Sequence, residues 1–368
     1  MPSPHDIITD ISERLASFVE IRRREVRDDT EIMADDDVAN VLLDHATRAL
    51  EGGKRLRARF AYWGWRAVTA DPGSAPSHVV DLGAALEIFQ AAALVHDDIV
   101  DNSDTRRGRP ASWRALEATH RESEWHGSSE QFGRSGAILL GDLLLSWSDD
   151  LFEQALAAVD DDATISQTRA EYARMRRDVI LGQFLDVSEE AAWPTTPDEH
   201  HADRALRIAI LKSARYSVQQ PLVIGATLGG ASAERRAALA DLGHPLGLAF
   251  QLRDDVLGVF GDPSVTGKPA GDDLREGKRT LLVAYTREGM DAEARASFDA
   301  RLGAPDLSDD EIDGMQRTVR ASGALDRAEQ FIDVQTRRAR SALDAADLDA
   351  VAADELRSLI AAATRRAS

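Results

Sequence analysis

The chain has 368 residues, no cysteine, and 44 Lys and Arg against 64 Asp and Glu, which gives a formal net charge of −20 at pH 7. The absence of cysteine excludes disulfides and thiolate metal sites and fits a reducing cytosol. A surface with this much negative charge repels nucleic acid and anionic membranes. We therefore expect no nucleic-acid partner. The start of the chain is too polar for a signal peptide, and no apolar run approaches the roughly 18 residues of a membrane span. We therefore expect a cytoplasmic protein without an integral membrane segment.

Helices are predicted almost throughout, because apolar residues recur every three or four positions and the strict alternation of a strand is hard to find. The predicted helices cover residues 36–52, 54–70, 77–101, 135–158, 164–189, 200–230, 232–258 and 324–345. No internal repeat, low-complexity linker or shift of composition divides the chain. The pattern predicts an all-α fold with one large domain over residues 1–368.

The predicted helix 77–101 ends in the first aspartate cluster, Asp97, Asp98 and Asp101. Positions i and i+4 of a helix project from one face, so Asp97 and Asp101 can share divalent ions. Mg²⁺ takes oxygen ligands and usually binds one or two carboxylates together with substrate phosphates, so the pair implies a phosphorylated ligand. In a chain this rich in Asp the same pattern alone is more often a solvated turn.

Cationic residues concentrate in two places, residues 54–59 and residues 106–109. In so acidic a protein, such concentrations beside a Mg²⁺ site predict phosphate binding, by Arg through paired hydrogen bonds and by Lys as a point charge. Arg55 and Arg59 leave an alternative open, because their i,i+4 spacing is also typical of solvent-facing residues at the start of a helix.

Two segments do not fit a helical pattern, residues 102–112 and residues 258–277, and each follows an aspartate cluster. The second aspartate cluster is Asp254-Asp255, followed by Gly258. Charged, glycine-rich loops beside a metal site commonly close over a ligand and exclude water. The alternative is an ordinary connection between helices, although about 20 residues is long for one.

Six motifs together resemble those of the polyprenyl synthetase family, the trans-isoprenyl diphosphate synthases, in the family's order and spacing. They are GGKRLR at 52–57, LVHDDIVDNSDTRRG at 94–108, GQFLD at 182–186, LKSA at 211–214, FQLRDDVLG at 250–258 and TGKPAGDDLREGK at 266–278. Within the family the chain is most similar to bacterial enzymes of the geranylgeranyl diphosphate synthase type. The resemblance implies a single helical bundle of the isoprenoid synthase type with a central cavity, and a homodimer.

The implied reaction is a condensation. An allylic diphosphate ionises, the double bond of isopentenyl diphosphate attacks the carbocation, and a proton is lost. The resemblance implies Mg²⁺ as cofactor, with three ions per active site, held by Asp97, Asp101, Asp254 and Asp255. It implies a catalytic set of Asp97, Asp98, Asp101, Arg106, Lys212, Ser213, Gln251, Asp254 and Lys268.

The resemblance also divides the substrate-binding residues into three groups. The allylic diphosphate is expected to contact Arg106, Lys212, Lys268 and Lys278. Isopentenyl diphosphate is expected to contact Lys54, Arg57, Gln90 and Arg107, and Gln90 lies near the helical face of Asp97. Ser213 and Gln251 are expected near the developing cation, which their dipoles can stabilise.

Gly258 departs from the pattern, because many relatives have a third aspartate there. We expect ligation at the second cluster to depend mainly on its first carboxylate, without loss of activity. A terpene cyclase is less compatible with the sequence, because cyclases have no use for an isopentenyl diphosphate pocket. A non-catalytic subunit of a heteromeric prenyl synthase is the other alternative.

Product length is predicted from the helix that precedes the first cluster. Farnesyl synthases of the family place an aromatic residue four or five positions before the first aspartate, where this chain has Ala93 and Ala92. The first bulky residue on that face is Phe89, one turn deeper, and a turn rises about 5.4 Å, close to one isoprene unit. The sequence therefore predicts a C20 product, with a C15 or C25 product as the alternative. The alternative for the floor is that Phe89 only packs in the core and that Trp147, Phe152 or a partner subunit limits the product.

Overall fold

A computed structural model describes residues 4–29, 38–69, 74–262 and 271–364. The chain forms two compact units, unit 1 over Met1–Ser166 and unit 2 over Gln167–Ser368. The all-α class is confirmed, since the described residues are helical apart from turns, short connections and one pair of two-residue strands.

The helices of unit 1 surround a central apolar helix, α4. In chain order they are α1 (Pro4–Asp28), α2 (Val38–Leu50), α3 (Leu56–Arg66), α4 (Ser77–Val100), α5 (Ser112–Glu122) and α6 (Ser129–Ala157). Helix α4 packs most extensively against α6, and Leu82, Leu86 and Ile88 are fully buried. Burial of such side chains stabilises the fold by about 1.5–3 kcal/mol each. This core fixes the helix whose end carries the first aspartate cluster.

By length and composition, α4 is also the one helix in the described part of the chain that could cross a membrane. Most of its apolar stretch is buried inside the protein, as is usual for a core helix.

Residues 102–112, predicted as a loop, contain a small β-hairpin. Strands β1 (Thr105–Arg106) and β2 (Arg109–Pro110) are antiparallel, with Arg106 opposite Arg109. Arg107 and Gly108 form the turn with φ of 54° and 71°. Positive φ at both central residues is the signature of a type I′ turn, whose twist matches paired strands.

Unit 2 is built around α10 (Ala233–Phe260), which packs mainly on a helix over Ala324–Ala345 and on a π-helix over Ala209–Gln219. Its other helices are α7 (Asp162–Ala192, which begins in unit 1), α8 (His201–Ile208), the π-helix (Ala209–Gln219), α9 (Gln220–Leu228), α11 (Asp272–Arg275), α12 (Leu281–Glu288), α13 (Ala292–Arg301), α14 (Asp309–Ala321), α15 (Ala324–Ala345) and α16 (Ala350–Thr364). Two short 3₁₀ turns, Trp193–Thr195 and Asp198–His200, connect α7 to α8.

The π-helix interrupts the long helix predicted over residues 200–230. Its i→i+5 hydrogen bonds are rare and are found frequently at functional sites. Apolar periodicity does not distinguish a π-helix from an α-helix over so short a stretch, so the prediction of one continuous helix was wrong here. The interruption contains Lys212 and Ser213, two of the predicted site residues.

Candidate active site

The first aspartate cluster lies at the C-terminal end of α4. Asp97 is in the last turn, and Asp101 caps the helix with φ −83° and ψ 0°, its backbone N–H bonded to Asp97 O at 2.8 Å. Because helical geometry continues to Asp101, the i,i+4 relationship predicted for the two carboxylates is present. Both side chains are half-buried.

Asp98, between Asp97 and Asp101 in sequence, is buried and only 2% exposed. Its Oδ1 accepts hydrogen bonds from Arg106 Nε at 2.7 Å and from Arg106 Nη2. The same Nη2 lies 3.5 Å from Asp97 Oδ2. A buried carboxylate without a charged partner would be strongly unfavourable, so Asp98 fixes the Arg106 guanidinium beside Asp97. Asp98 therefore orients a cation at the predicted metal site.

Arg107, on the adjacent turn position, reaches a different part of unit 1. Its Nη1 donates to Glu51 O at 2.9 Å, and its guanidinium lies against Gly53, where an added Cβ would be 3.2 Å from Nη2. Burial lowers the pKa of Arg107, and the nearby cations Arg55, Arg106 and Arg57 lower it further. Such an excess of cations is favourable for an anionic ligand.

The solvent-facing alternative is wrong for Arg55. Its side chain is buried, Nη2 donates to Leu50 O at 2.7 Å, and Nη1 lies 3.7 Å from Glu87 Oε2. Glu87 also accepts a hydrogen bond from the backbone N–H of Ala58 at 3.2 Å, which holds the start of α3 on α4. The sequence reasoning missed Glu87, although an acidic residue inside a long apolar stretch of α4 was a usable signal.

A cavity of about 590 Å³ in unit 1 adjoins the hairpin. The α4 residues Ala91, Leu94 and Val95 form an apolar wall, and Arg106 and Arg107 are among the charged lining residues. Lys54 is exposed just before α3, whereas Arg57 and Gln90 are half-buried. Arg57 is one of the cations that lower the pKa of Arg107, so the two guanidinium groups interact electrostatically.

In unit 2, Lys212 of the π-helix pairs with α7. Its Nζ lies 2.5 Å from Asp186 Oδ2. Glu190 lies one turn further along α7, and its pKa is raised by burial and by the charge of Asp186. The cations that lower this pKa are Arg279, Lys212 and Lys278. Two of the lysines predicted for the allylic diphosphate, Lys212 and Lys278, therefore share one electrostatic neighbourhood.

The carboxylate of Asp273, to which the sequence reasoning assigned no role, lies beside the second aspartate cluster. Gln251 Nε2 donates to Asp255 Oδ1 at 2.7 Å, and burial, followed by the charge of Asp273, raises the pKa of Asp255 to about 8. Asp273 lies directly against Gly258, where an added Cβ would be 2.7 Å from Oδ1. Lys278 Nζ lies 3.7 Å from Asp273 Oδ1 and 2.5 Å from Glu276 Oε2.

Both clusters have the chemistry of a Mg²⁺ site. Their donors are carboxylate oxygens, the ligand type that Mg²⁺ prefers. Burial, followed by the charge of Asp273, raises the pKa of Asp255, and a bound cation would favour its ionised form. Across the described ranges no three His, Asp or Glu side chains form a ready-made metal site.

Comparison with known proteins decides the family. The sequence model of the polyprenyl synthetase family matches residues 39–319. The chain belongs to this family.

Relatives agree with this assignment over most of the chain. A geranylgeranyl diphosphate synthase from Mycobacterium tuberculosis is 32% identical, covering 88% of this chain and 83% of the relative. A geranylfarnesyl diphosphate synthase from Aeropyrum pernix is 32% identical, covering 79% and 83%. A crystal structure of geranylgeranyl pyrophosphate synthase from Corynebacterium glutamicum, complexed with isoprenyl diphosphate and magnesium, superposes with a TM-score of 0.91 at 35% identity, covering 100% of both chains.

Membership of the polyprenyl synthetase family confirms the predicted isoprenoid synthase fold and a short-chain prenyltransferase. For the individual residues, the structure brings together Asp97, Asp98 and Arg106 in unit 1, and Gln251, Asp255 and Lys278 in unit 2. Lys268 lies outside the described residues. Phe89 is 3% exposed and Ala92 is fully buried, whereas Ala93 is half-buried.

Proposed function

We propose that this prenyltransferase uses Mg²⁺ to condense isopentenyl diphosphate with dimethylallyl, geranyl and farnesyl diphosphates, and that its main product is geranylgeranyl diphosphate (C20). The observation that carries the proposal is the divergence of Arg106 and Arg107. The type I′ turn directs Arg106 to the first aspartate cluster and Arg107 to the cations of residues 54–59. Two separate cationic groups suit a reaction with two diphosphate substrates.

The first group is proposed to bind the allylic diphosphate. In unit 1, Asp97 and Asp101 would hold Mg²⁺, and in unit 2, Asp254 and Asp255 would do so; when bound, Mg²⁺ would neutralise the leaving diphosphate. Arg106 is fixed by Asp98, so its charge needs no reorganisation when the diphosphate departs. The lysines assigned to the same substrate are Lys212, Lys268 and Lys278.

The second group is proposed to bind isopentenyl diphosphate through Lys54, Arg57, Gln90 and Arg107. The pKa of Arg107, lowered by burial and by surrounding cations, supports this role, because a diphosphate would relieve the repulsion. Ser213 and Gln251 are proposed to stabilise the developing carbocation through their dipoles. The released diphosphate would take the proton, so no side-chain base is assigned.

The C20 product follows from the small residues Ala92 and Ala93 and from Phe89 one turn deeper in α4. Burial of Phe89 supports its role as a fixed floor. Relatives named for C20 and C25 products are equally similar at 32% identity, so length rests on this local argument. Mass spectrometry of the product determines its chain length directly.

A cytoplasmic homodimer is the proposed state of the enzyme. Helix α7 exposes an apolar face that includes Ile180 and Phe184, the latter 67% exposed, and α6 exposes Ile138 and Leu139. Solvent-exposed apolar faces of this kind favour association with a second surface, and the family resemblance supports a second copy of this chain as the partner.

The test is a set of incubations that differ by one component. The complete mixture contains enzyme, Mg²⁺, isopentenyl diphosphate and geranyl or farnesyl diphosphate, and products are identified by mass. The proposal predicts elongation only in the complete mixture. Conversion of the allylic diphosphate without isopentenyl diphosphate would indicate a cyclase, and no turnover by the homogeneous protein would indicate a non-catalytic subunit.

A further inference from the structure

Helix α7 contacts Lys212 at two points one turn apart. Asp186 binds the ammonium group at 2.5 Å. Gly182, on the same face of α7, lies against the backbone of the π-helix, where an added Cβ would be 2.7 Å from Lys212 Cα and closer still to its backbone nitrogen. Both ends of the lysine are therefore fixed by residues at i and i+4 of one helix.

Helix α10 contacts the π-helix in the same manner. An added Cβ at Gly247 would lie 2.9 Å from Ala214 Cα and closer to Ala214 O. At Gly243, one turn earlier, it would lie 2.7 Å from Gln219 Cα. Lys212 and Ser213 thus belong to a segment whose backbone is in direct contact with two neighbouring helices.

These glycines are not explained by helix stability. Glycine in a helix interior is about 1 kcal/mol less favourable than alanine. A π-helix is also a rare conformation that local propensity does not favour, so tertiary contacts must stabilise it. Gly182 and Gly247 provide such tertiary contacts. A methyl group at either position would displace the backbone that carries Lys212 and Ser213.

We propose that Gly182 and Gly247 are positioning residues, which set the depth of the π-helix and thereby place Lys212 and Ser213 for the allylic diphosphate. The inference rests on the proposed function of Lys212. Displacement of a positioned group by about 1 Å can cost on the order of 10²-fold in rate. The device is specific to one substrate, because the residues assigned to isopentenyl diphosphate all lie in unit 1.

The test compares Gly182→Ala and Gly247→Ala with Gly243→Ala, which meets the π-helix at its far end, away from Lys212. All three should lower Tm. Gly182→Ala and Gly247→Ala should reduce kcat/KM for the allylic substrate by about 100-fold and leave KM for isopentenyl diphosphate within about twofold. Gly243→Ala should retain both parameters. Equal kinetic losses in all three variants, in proportion to Tm, would overturn the proposal.

Asp186→Asn provides a second test if the alanine variants do not fold, because it adds no atoms and loosens only the ammonium end of Lys212. It should weaken Mg²⁺-dependent binding of geranyl S-thiolodiphosphate, an unreactive allylic analogue, by about tenfold in calorimetry. Unchanged binding would contradict the positioning role. Failure of the wild-type protein to elongate any substrate would instead overturn the proposed function, and the analogue would still report on Lys212.

Discussion

Asp273 places its carboxylate against the Cα of Gly258, in the space that a side chain at position 258 would occupy. The second aspartate cluster therefore does not lack a third carboxylate, because one arrives from the segment that follows α10. An aspartate side chain at position 258 would therefore compete with Asp273 for the same space.

Gly258→Ala should destabilise the protein by about 1–3 kcal/mol, the usual cost of an overpacked site. Gly258→Asp should cost more, because two carboxylates would compete for one position, and Asp273→Ala should recover part of that loss. The control is Gly314→Ala in α14, where the nearest atom is the flexible end of Arg317 at 3.7 Å; it should gain up to about 1 kcal/mol. Denaturant unfolding measures all four, and a neutral Gly258→Asp would contradict the contact.

Arg106→Lys and Arg107→Lys form a matched pair. Lysine cannot reproduce the contact of Arg106 with Asp98 and Asp97, so Arg106→Lys should lower kcat by about tenfold to 100-fold, the equivalent of one charged hydrogen bond. Arg107→Lys should chiefly raise KM for isopentenyl diphosphate. Steady-state kinetics with each substrate varied in turn separates the two. The same kinetic change in both variants would show that the arginines do not serve different substrates.

The raised pKa of Asp255 predicts that the stability of the metal-free protein depends on pH. Its folded pKa of about 8 lies above the ordinary value of about 3.9, so its contribution to stability is complete below the lower value and is lost as pH rises through the higher one. In a chelator, wild-type Tm should fall from about pH 5 to about pH 9 more steeply than that of Asp255→Asn. Added Mg²⁺ should restore Tm most at the alkaline end. If Tm falls with pH equally in wild type and Asp255→Asn, the pH dependence does not come from Asp255.

Phe89 and Ala93 should control product length in opposite directions. Phe89→Ala removes the proposed floor and should lengthen the product beyond C20. Ala93→Phe places an aromatic ring one turn nearer the first cluster and should shorten the product to C15, since one turn rises about 5.4 Å. Mass analysis of the prenyl alcohols after dephosphorylation distinguishes these outcomes. An unchanged product in both variants would place the floor elsewhere.

Sequence reasoning predicted α4 within a residue, because its apolar pattern is continuous and ends in a recognisable aspartate motif. It missed α1, α5, α16 and the helices between residues 272 and 321, and several of these helices are short. A usable signal existed for α14, since Ser308 and Glu311 form a capping box. Short amphipathic helices are defined by such caps as much as by periodicity.

The chemistry was easier to predict than the geometry. Carboxylates and cations at family spacing were sufficient to propose roles for Asp97, Arg106 and Lys212 without a structure. The contact of Asp273 with Gly258 joins residues that local patterns do not connect. The π-helix packs closely against Gly182 and Gly247, two positions on different helices that no local sequence pattern joins to it.

Mg²⁺-dependent prenyl transfer is tested by following labelled isopentenyl diphosphate into product with farnesyl diphosphate and Mg²⁺, for wild type and Asp97→Ala. We expect a wild-type product one isoprene unit longer than farnesyl diphosphate, which is lost on chelation of Mg²⁺ and is absent from a folded Asp97→Ala protein. Incorporation that persists in Asp97→Ala or in chelator, or no incorporation in the complete wild-type mixture, would show that the protein is not a Mg²⁺-dependent prenyltransferase acting through Asp97.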